Sequence, residues 1–255
     1  MGTVRSIESK ANGRTGSTVK DGQYGSEANQ DHPDSAVAIP IVLYSRPIDA
    51  LPHAKDTGGD SAQDKRLAVI DAALNVVADQ GLRDSTLDRI AGSCGCSRAT
   101  LYRLFPGGWD TMLNAIVSTE TARLFSAVAS SMLPAANVSE ALSAGVCEAA
   151  RFLTGHKALQ KLLKDEPNKI LPYLAFGGFE TMLNQVVAFA CPFLQRWVDK
   201  VVARRLVLWA ARLTISYLLC PAEEIDLADR DTATRIVDTY IVPGMDMLTD
   251  GTPYE

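Results

Sequence analysis

The chain holds 255 residues, of which 47% are hydrophobic and 22% charged, enough to bury a substantial core with the balance of a soluble globular protein. Lys and Arg number 25 against 30 Asp and Glu, a formal charge of −5. Taken whole, that sign argues against a protein that clings to nucleic acid by charge, because phosphate contacts draw on Lys and Arg.

In chain order, residues 1–60 come first and read as a mostly disordered tail. They hold 7 of the 18 Gly and 4 of the 12 Pro, with many Ser, Thr, Asn and Asp. Such a composition buries too little apolar surface to offset its ordering entropy. One apolar island, 36–48, interrupts it; Pro40 and Pro47 oppose a helix there, leaving an extended piece against the body or a docking segment. From residue 61 the pattern turns helical. Leu67, Ile70, Leu74 and Val77 share one face, Asp60 or Ser61 can cap the start, and Gly81 can end the helix. A short helix follows Ser85 or Thr86, then a Cys94-Gly95-Cys96 turn, then a third helix with the sequence SRATLYRLF. Pro106-Gly107-Gly108 breaks the chain, and a fourth helix spans 109–132.

The remainder reads as more helix: 139–155, a basic-faced 157–164, and a segment from Pro167 that breaks at Gly177-Gly178 and resumes to Cys191. Pro192 suits a helix start and opens the longest run, 192–219; a last helix covers 229–248, kinked at Pro243-Gly244. Residues 107–114 and 177–184 echo each other, each a Gly-Gly hinge followed by an aromatic and an acid. No alternating strand pattern stands out, so the expected fold is all-α. No run has the roughly 18–20 apolar residues of a bilayer span, and the polar N-terminus lacks a signal-peptide core. The five Cys show no CxxC pair and no Cys/His metal spacing. A cytoplasmic protein with no membrane contact, metal or cofactor is expected.

Residues 85–105, STLDRIAGSCGCSRATLYRLF, have the layout of a helix-turn-helix. Gly95 can take the left-handed conformation that the turn needs. Ile90, Ala91 and Leu101 supply the small core between the two helices. The second helix would then expose Arg98, Ala99, Thr100 and Arg103 from the half of a recognition helix that reaches base edges.

This stretch resembles the TetR family of bacterial transcriptional regulators across residues 62–115. The family's pattern is met by Thr86, Leu87, Ile90, Ala91, Gly95, Cys96, Ser97, Thr100, Leu101, Tyr102 and Phe105, eleven positions at fixed spacing. The resemblance implies a three-helix DNA-binding domain over 61–107 and an effector-binding and dimerisation domain over 108–250, with about nine helices in all. It also implies a homodimer paired through the last two long helices, 196–219 and 229–248. Two recognition helices would then meet a near-palindromic double-stranded operator, separated by one helical turn, roughly 34–36 Å. Chemistry and resemblance together assign the contacts. Thr86, at a helix start, suits a phosphate; Ser97 caps the recognition helix; Tyr102 offers its hydroxyl to a phosphate or packs on the first helix. Arg98 and Arg103 are candidates for guanine or for the backbone, and Thr100 for a thymine methyl or a phosphate. Members of the family usually carry a Lys near the start of the fourth helix; here stand Gly108, Trp109 and Asp110. Trp109 is then assigned to the DNA edge or, in preference, between the two domains. The cysteines flanking Gly95 read as small buried apolar residues, with a redox switch as the alternative.

The second half carries the large apolar residues Phe125, Phe152, Tyr173, Phe176, Phe179, Met182, Phe189 and Trp209. Together they point to an apolar cavity and a small lipid-like effector, an acyl chain included. The regulator is expected to be a repressor released by that effector. A helical interaction protein without DNA binding is the alternative from another class. An enzyme is disfavoured by the lack of a Ser/His/Asp set, a phosphate loop or paired His ligands. Split by segment, the charge objection weakens: residues 61–115 carry six basic and six acidic groups and are neutral.

Overall fold

The structure is a computed structural model that describes residues 60–174 and 178–245. The tail 1–59, its island 36–48, Phe176, Gly177 and the end of the expected last helix lie outside the described residues. Ten α-helices make up the described chain, with one isolated bridge between Ala222 and Ile225 and no strand. The all-α expectation is met.

Three helices form the N-terminal unit: α1 (Asp60–Gln80), α2 (Leu87–Cys94) and α3 (Arg98–Leu104). On α1, Val69, Ile70, Ala73, Val76 and Val77 repeat at helical spacing and are buried against Leu87, Ile90, Leu101 and Phe105. The long helix α4 (Trp109–Met132) follows. Its first turns, through Trp109, Met112 and Ile116, complete that first core, together with Ala158 from α6. Its last turns, through Val128 and Met132, belong to a second core. The second core is filled by α5 (Val138–Gly155), α8 (Phe179–Leu194), α9 (Lys200–Leu219) and α10 (Arg230–Ile236). Between the two cores lie α6 (Lys157–Asp165), packed on α1, and α7 (Pro167–Leu174).

Two boundaries differ from the sequence reading. Pro192 does not open a helix; it sits in the last turns of α8, which runs on to Leu194. The following helix starts at Lys200, because Asp199 accepts hydrogen bonds from the free amides of Val201 (2.7 Å) and Val202 (3.0 Å). Arg196 and Trp197 therefore lie in the connection, with the Arg196 guanidinium 4.6 Å from the Trp197 ring centre. The last helix is also not one regular element. After Ile236 the chain winds as a π turn over Val237–Ile241 and a 3₁₀ turn over Val242–Met245. Pro243 supplies no amide hydrogen for the carbonyl four residues back, so regular α winding stops before it.

The ends of α1 and α2 each need a glycine. Gly81 has φ +83° and Gly95 φ +65°, both left-handed. Beside Gly81, one oxygen of Glu166 accepts the amides of Leu82 (2.6 Å) and Arg83 (3.2 Å), tying the α6–α7 junction to the α1–α2 loop. A methyl at Gly95 would meet no atom within 4 Å, whereas one at Gly81 would fall 2.6 Å from that Glu166 oxygen. Gly95→Ala should therefore cost about 1 kcal/mol, the backbone strain alone. Gly81→Ala should cost measurably more, because it also displaces Glu166 from two amides. Urea unfolding of both variants checks the order; equal costs would mean that Glu166 gives way freely.

Candidate nucleic-acid interface and apolar cavity

The turn between α2 and α3 is built from local hydrogen bonds. Thr86 precedes α2 in extended backbone, and its hydroxyl oxygen accepts the Arg89 amide at 3.3 Å. At the other end the Gly95 amide reaches Gly92 O and the Cys96 amide reaches Ala91 O, at 3.3 and 3.0 Å. That is a Schellman closure, and it needs the left-handed glycine. Ser97 then caps α3, its oxygen accepting the Thr100 amide at 3.1 Å. Leu87, Ile90, Ala91 and Leu101 are buried beneath the turn, and the buried Ser85 hydroxyl donates to Gly81 O at 2.6 Å.

This frame decides what α3 shows to solvent. Ser97, Arg98, Ala99 and Arg103 are exposed, Thr86, Thr100 and Tyr102 are half-buried, and Leu101 and Phe105 are interior. Six of the seven residues named as DNA contacts thus lie on α3 or at its cap, and the seventh, Thr86, caps α2. Sequence reasoning passed over Arg66 on α1. Its guanidinium donates to Leu104 O at 2.6 Å and lies 4.4 Å from the Phe105 ring centre. It holds the end of α3 in place and satisfies a carbonyl that the helix itself leaves open. Trp109 is 1% exposed, which takes it off the DNA edge; from the first turn of α4 it packs among apolar residues of α1–α3 and Ala158 of α6.

Arg98 has a competitor for phosphate. Its guanidinium lies 3.4 Å from Asp88 on α2, both side chains being well exposed, and 5.7 Å from the Tyr102 ring centre. An exposed pair of this kind is worth little in itself. The Cys94 and Cys96 sulfurs approach to 2.7 Å beneath the turn. Burial, and next the hydrogen bond with Cys94, push the Cys96 thiol up to about 11. It stays protonated at neutral pH and packs as a small apolar group, against the switch alternative.

A second site lies in the other half. An apolar cavity of about 290 Å³ is lined by residues of α4 to α9. That is at the lower end of small-molecule sites, which run to roughly 300–1,000 Å³. Of the residues named for a ligand, Phe125, Met182 and Phe189 line it. The two phenyl rings stack with centres 4.2 Å apart and 8° between planes. Phe152 turns instead to the His156 ring, and Phe179 lies under the Arg212 guanidinium. Trp209 points outward and is 66% exposed. The cavity side of α9 carries Val207, Ala210 and Ala211, and Trp209 follows Val207 by two residues, roughly 200° around the helix. The Tyr173 side chain and Phe176 lie outside the description. Sequence reasoning, which looked for large residues, missed the wall formed by Val117, Leu124, Ile170 and Gln185.

The space between the sites is wired by charge. Arg123 on α4 reaches Asp71 of α1 at 2.7 Å and Glu120 at 2.8 Å; the Asp71 hydrogen bond leads in holding the guanidinium above its ordinary pKa. Glu120 also meets His156 Nε2 at 3.0 Å, while His156 Nδ1 accepts the Leu159 amide and so caps α6.

Residues 69–115 match the family model described as bacterial regulatory proteins, tetR family. Over this segment the chain is similar to the TetR family. It is 27% identical over 182 residues to the HTH-type transcriptional regulator BetI of Rhizobium meliloti (strain 1021), covering 69% of this chain and 76% of BetI. It is 37% identical over 67 residues to EthR of Mycobacterium tuberculosis (strain H37Rv), covering 26% of this chain and 31% of EthR, less than a third of that protein. Among solved structures, the TetR family repressor AlkX from Dietzia sp. strain DQ12-45-1b superposes with a TM-score of 0.51 at 22% identity, over 71% of this chain and 95% of AlkX. That likeness concerns the fold. The curated proteins it resembles, BetI and EthR, are transcriptional regulators. No helix of the described residues is long and apolar enough to cross a membrane.

The charge pattern of the TetR unit sets its response to salt. With six basic and six acidic groups in residues 61–115, few counterions are displaced from DNA, so the salt slope of binding should be shallow. Asp88→Asn should raise DNA affinity and steepen that slope by about one unit, because it removes an acid that competes with phosphate for Arg98. Binding titrations at several salt concentrations check this. An unchanged slope would mean that Arg98 does not meet the backbone.

Proposed function

We propose that this TetR-type chain is a homodimeric, sequence-specific repressor that works in the cytoplasm and is released from its operator by a small apolar effector. The observation that carries the DNA-reading half is the capped, seven-residue α3, which displays Arg98, Ala99 and Arg103 over a fully buried Leu101. In this reading Arg98 and Arg103 meet base edges or backbone. Thr86, Ser97, Thr100 and Tyr102 position the duplex through phosphates; the Thr86 oxygen that caps α2 keeps its O–H to donate, while the Ser97 and Thr100 hydroxyls, 3.0 Å apart, share one hydrogen bond and leave one O–H between them to donate. Phe125, Met182 and Phe189 receive the effector.

Support for the dimer comes from what α9 and the last turns leave uncovered. Val201, Arg205 and Trp209 fall one turn apart on α9; Val201 is 61% and Trp209 66% exposed, and Tyr240 is 71% exposed. Large apolar side chains held this far out of the core mark a surface that a partner covers. A second copy is the partner that places two α3 helices on one face of a duplex.

Two experiments test the proposal. Operator fragments selected from a random duplex library should bind the double variant Arg98→Ala, Tyr102→Phe more weakly, by about 1–3 kcal/mol at matched salt, with helicity and dimer intact. Unchanged affinity would sink α3 as the reader. Trp209→Glu should shift the protein to monomer in sedimentation velocity and lower operator affinity together, while its circular dichroism stays helical. A dimer that survives this substitution would remove α9 from the interface.

A further inference from the structure

The cavity wall is almost entirely hydrocarbon, but three polar side chains interrupt it: Thr121 on α4, Gln185 on α8 and Thr214 on α9. Thr214 is already committed, its hydroxyl donating to Ala210 O at 2.8 Å. Gln185 is different. Its side-chain amide nitrogen is buried and has no hydrogen-bond partner among the described residues. Met182 and Phe189 lie three residues before and four after it, so Gln185 shares their face of α8 and opposes the Phe125 side of α4. A buried amide donor without an acceptor is costly, and natural interiors keep such groups only where something completes them.

The charges complete the argument. Among the described residues, no Lys, Arg, His, Asp or Glu lines the cavity. An ionised carboxylate or phosphate would enter without a counter-charge, and so would an ammonium group. A pure hydrocarbon would fit the walls and leave the Gln185 donor unpaired. We infer that the effector is a neutral apolar molecule with one hydrogen-bond-accepting oxygen, an ester, ketone or amide carbonyl, which accepts the Gln185 amide. Gln185 is the residue that sets specificity: the walls select apolar bulk and this amide selects the neutral carbonyl. The inference rests on the reading of the cavity as the effector site and makes it chemically specific. It also narrows the lipid-like class, because a free fatty acid, charged at neutral pH, is excluded.

The test uses the full-length dimer and three probes of similar size: methyl octanoate, the octanoate ion and nonane. Dissociation constants are measured by calorimetry at mildly alkaline pH, where the acid is ionised. Methyl octanoate should bind about tenfold more tightly than either of the others. In Gln185→Leu the ester should lose about that tenfold, while nonane keeps or gains affinity. Gln185→Met, close in shape and without a donor, serves as the second variant, and operator binding without ligand reports its fold. If ester and nonane bind the native protein equally, the assignment of Gln185 is overturned while the cavity remains the effector site. That comparison needs no variant. If octanoate binds best, the neutral-ligand inference is overturned. If none of the three binds, both the inference and the effector reading of the cavity fall.

Discussion

One helix belongs to two cores. From Trp109 to Met132, α4 runs unbroken, with Trp109, Met112 and Ile116 sealed beneath the DNA-reading helices and Val128 and Met132 sealed among α5, α8 and α9. A helix of this length cannot bend sharply without a Pro, a Gly or a π bulge, and residues 109–132 contain no Pro and no Gly. Its two ends are therefore joined as by a rod. Whatever moves the wall of the cavity at Val117, Leu124 or Phe125 acts on the same rod whose first turn packs behind α3. The remaining joints stand beside it: Glu166 on the α1–α2 loop, and the Asp71–Arg123–Glu120–His156 chain from α1 through α4 to the cap of α6.

The DNA-reading half was legible because its decisive contacts are local. Thr86, Gly95 and Ser97 each act on amides within a few residues, and a motif of short-range caps appears as fixed spacing in one sequence. Gly81 ended α1 as read, for the same reason. Arg66 was not legible. It acts across 38 positions, and nothing in an exposed-looking Arg near the start of α1 announces that it will hold Leu104 O. Glu166 was not legible either, because it serves amides 83 and 84 positions earlier.

The second half was harder because size and hydrophobicity do not say which way a side chain faces. Trp209 and Phe189 are equally apolar on paper. Helical phase separates them: α9 turns its small residues, Ala210 and Ala211, to the cavity and its one Trp away from it. Pro192 misled for a related reason. Proline is favoured in a helix's first turn, but the stronger local signal lay seven residues on, where Asp199 meets two free amides. The most informative residue of the cavity, Gln185, has no sequence signature at all. A Gln on an amphipathic helix reads as surface, and only the buried nitrogen shows otherwise.

The charge of the whole chain takes its meaning from this division. Recognition of DNA by a neutral unit depends on geometry more than on attraction, and geometry here is supplied by packing: Phe105 and Ile90 wholly buried beneath α3, Arg66 at its end, α4 behind it. An uncharged cavity is the matching choice at the other end of the rod. A ligand biases a protein only through contacts that differ between two arrangements. In a cavity whose described lining carries no charge, those contacts are van der Waals contacts with α4 to α9, together with one amide. Leu159 and Ile170 of that wall flank Glu166 along the chain, so the helices that line the cavity also carry the hydrogen bonds to the α1–α2 loop. Close packing makes such a wall bistable instead of yielding, so a contact made in hydrocarbon would reach the first turn of α4 and the α1–α2 loop as a shift between two arrangements and not as a gradual give.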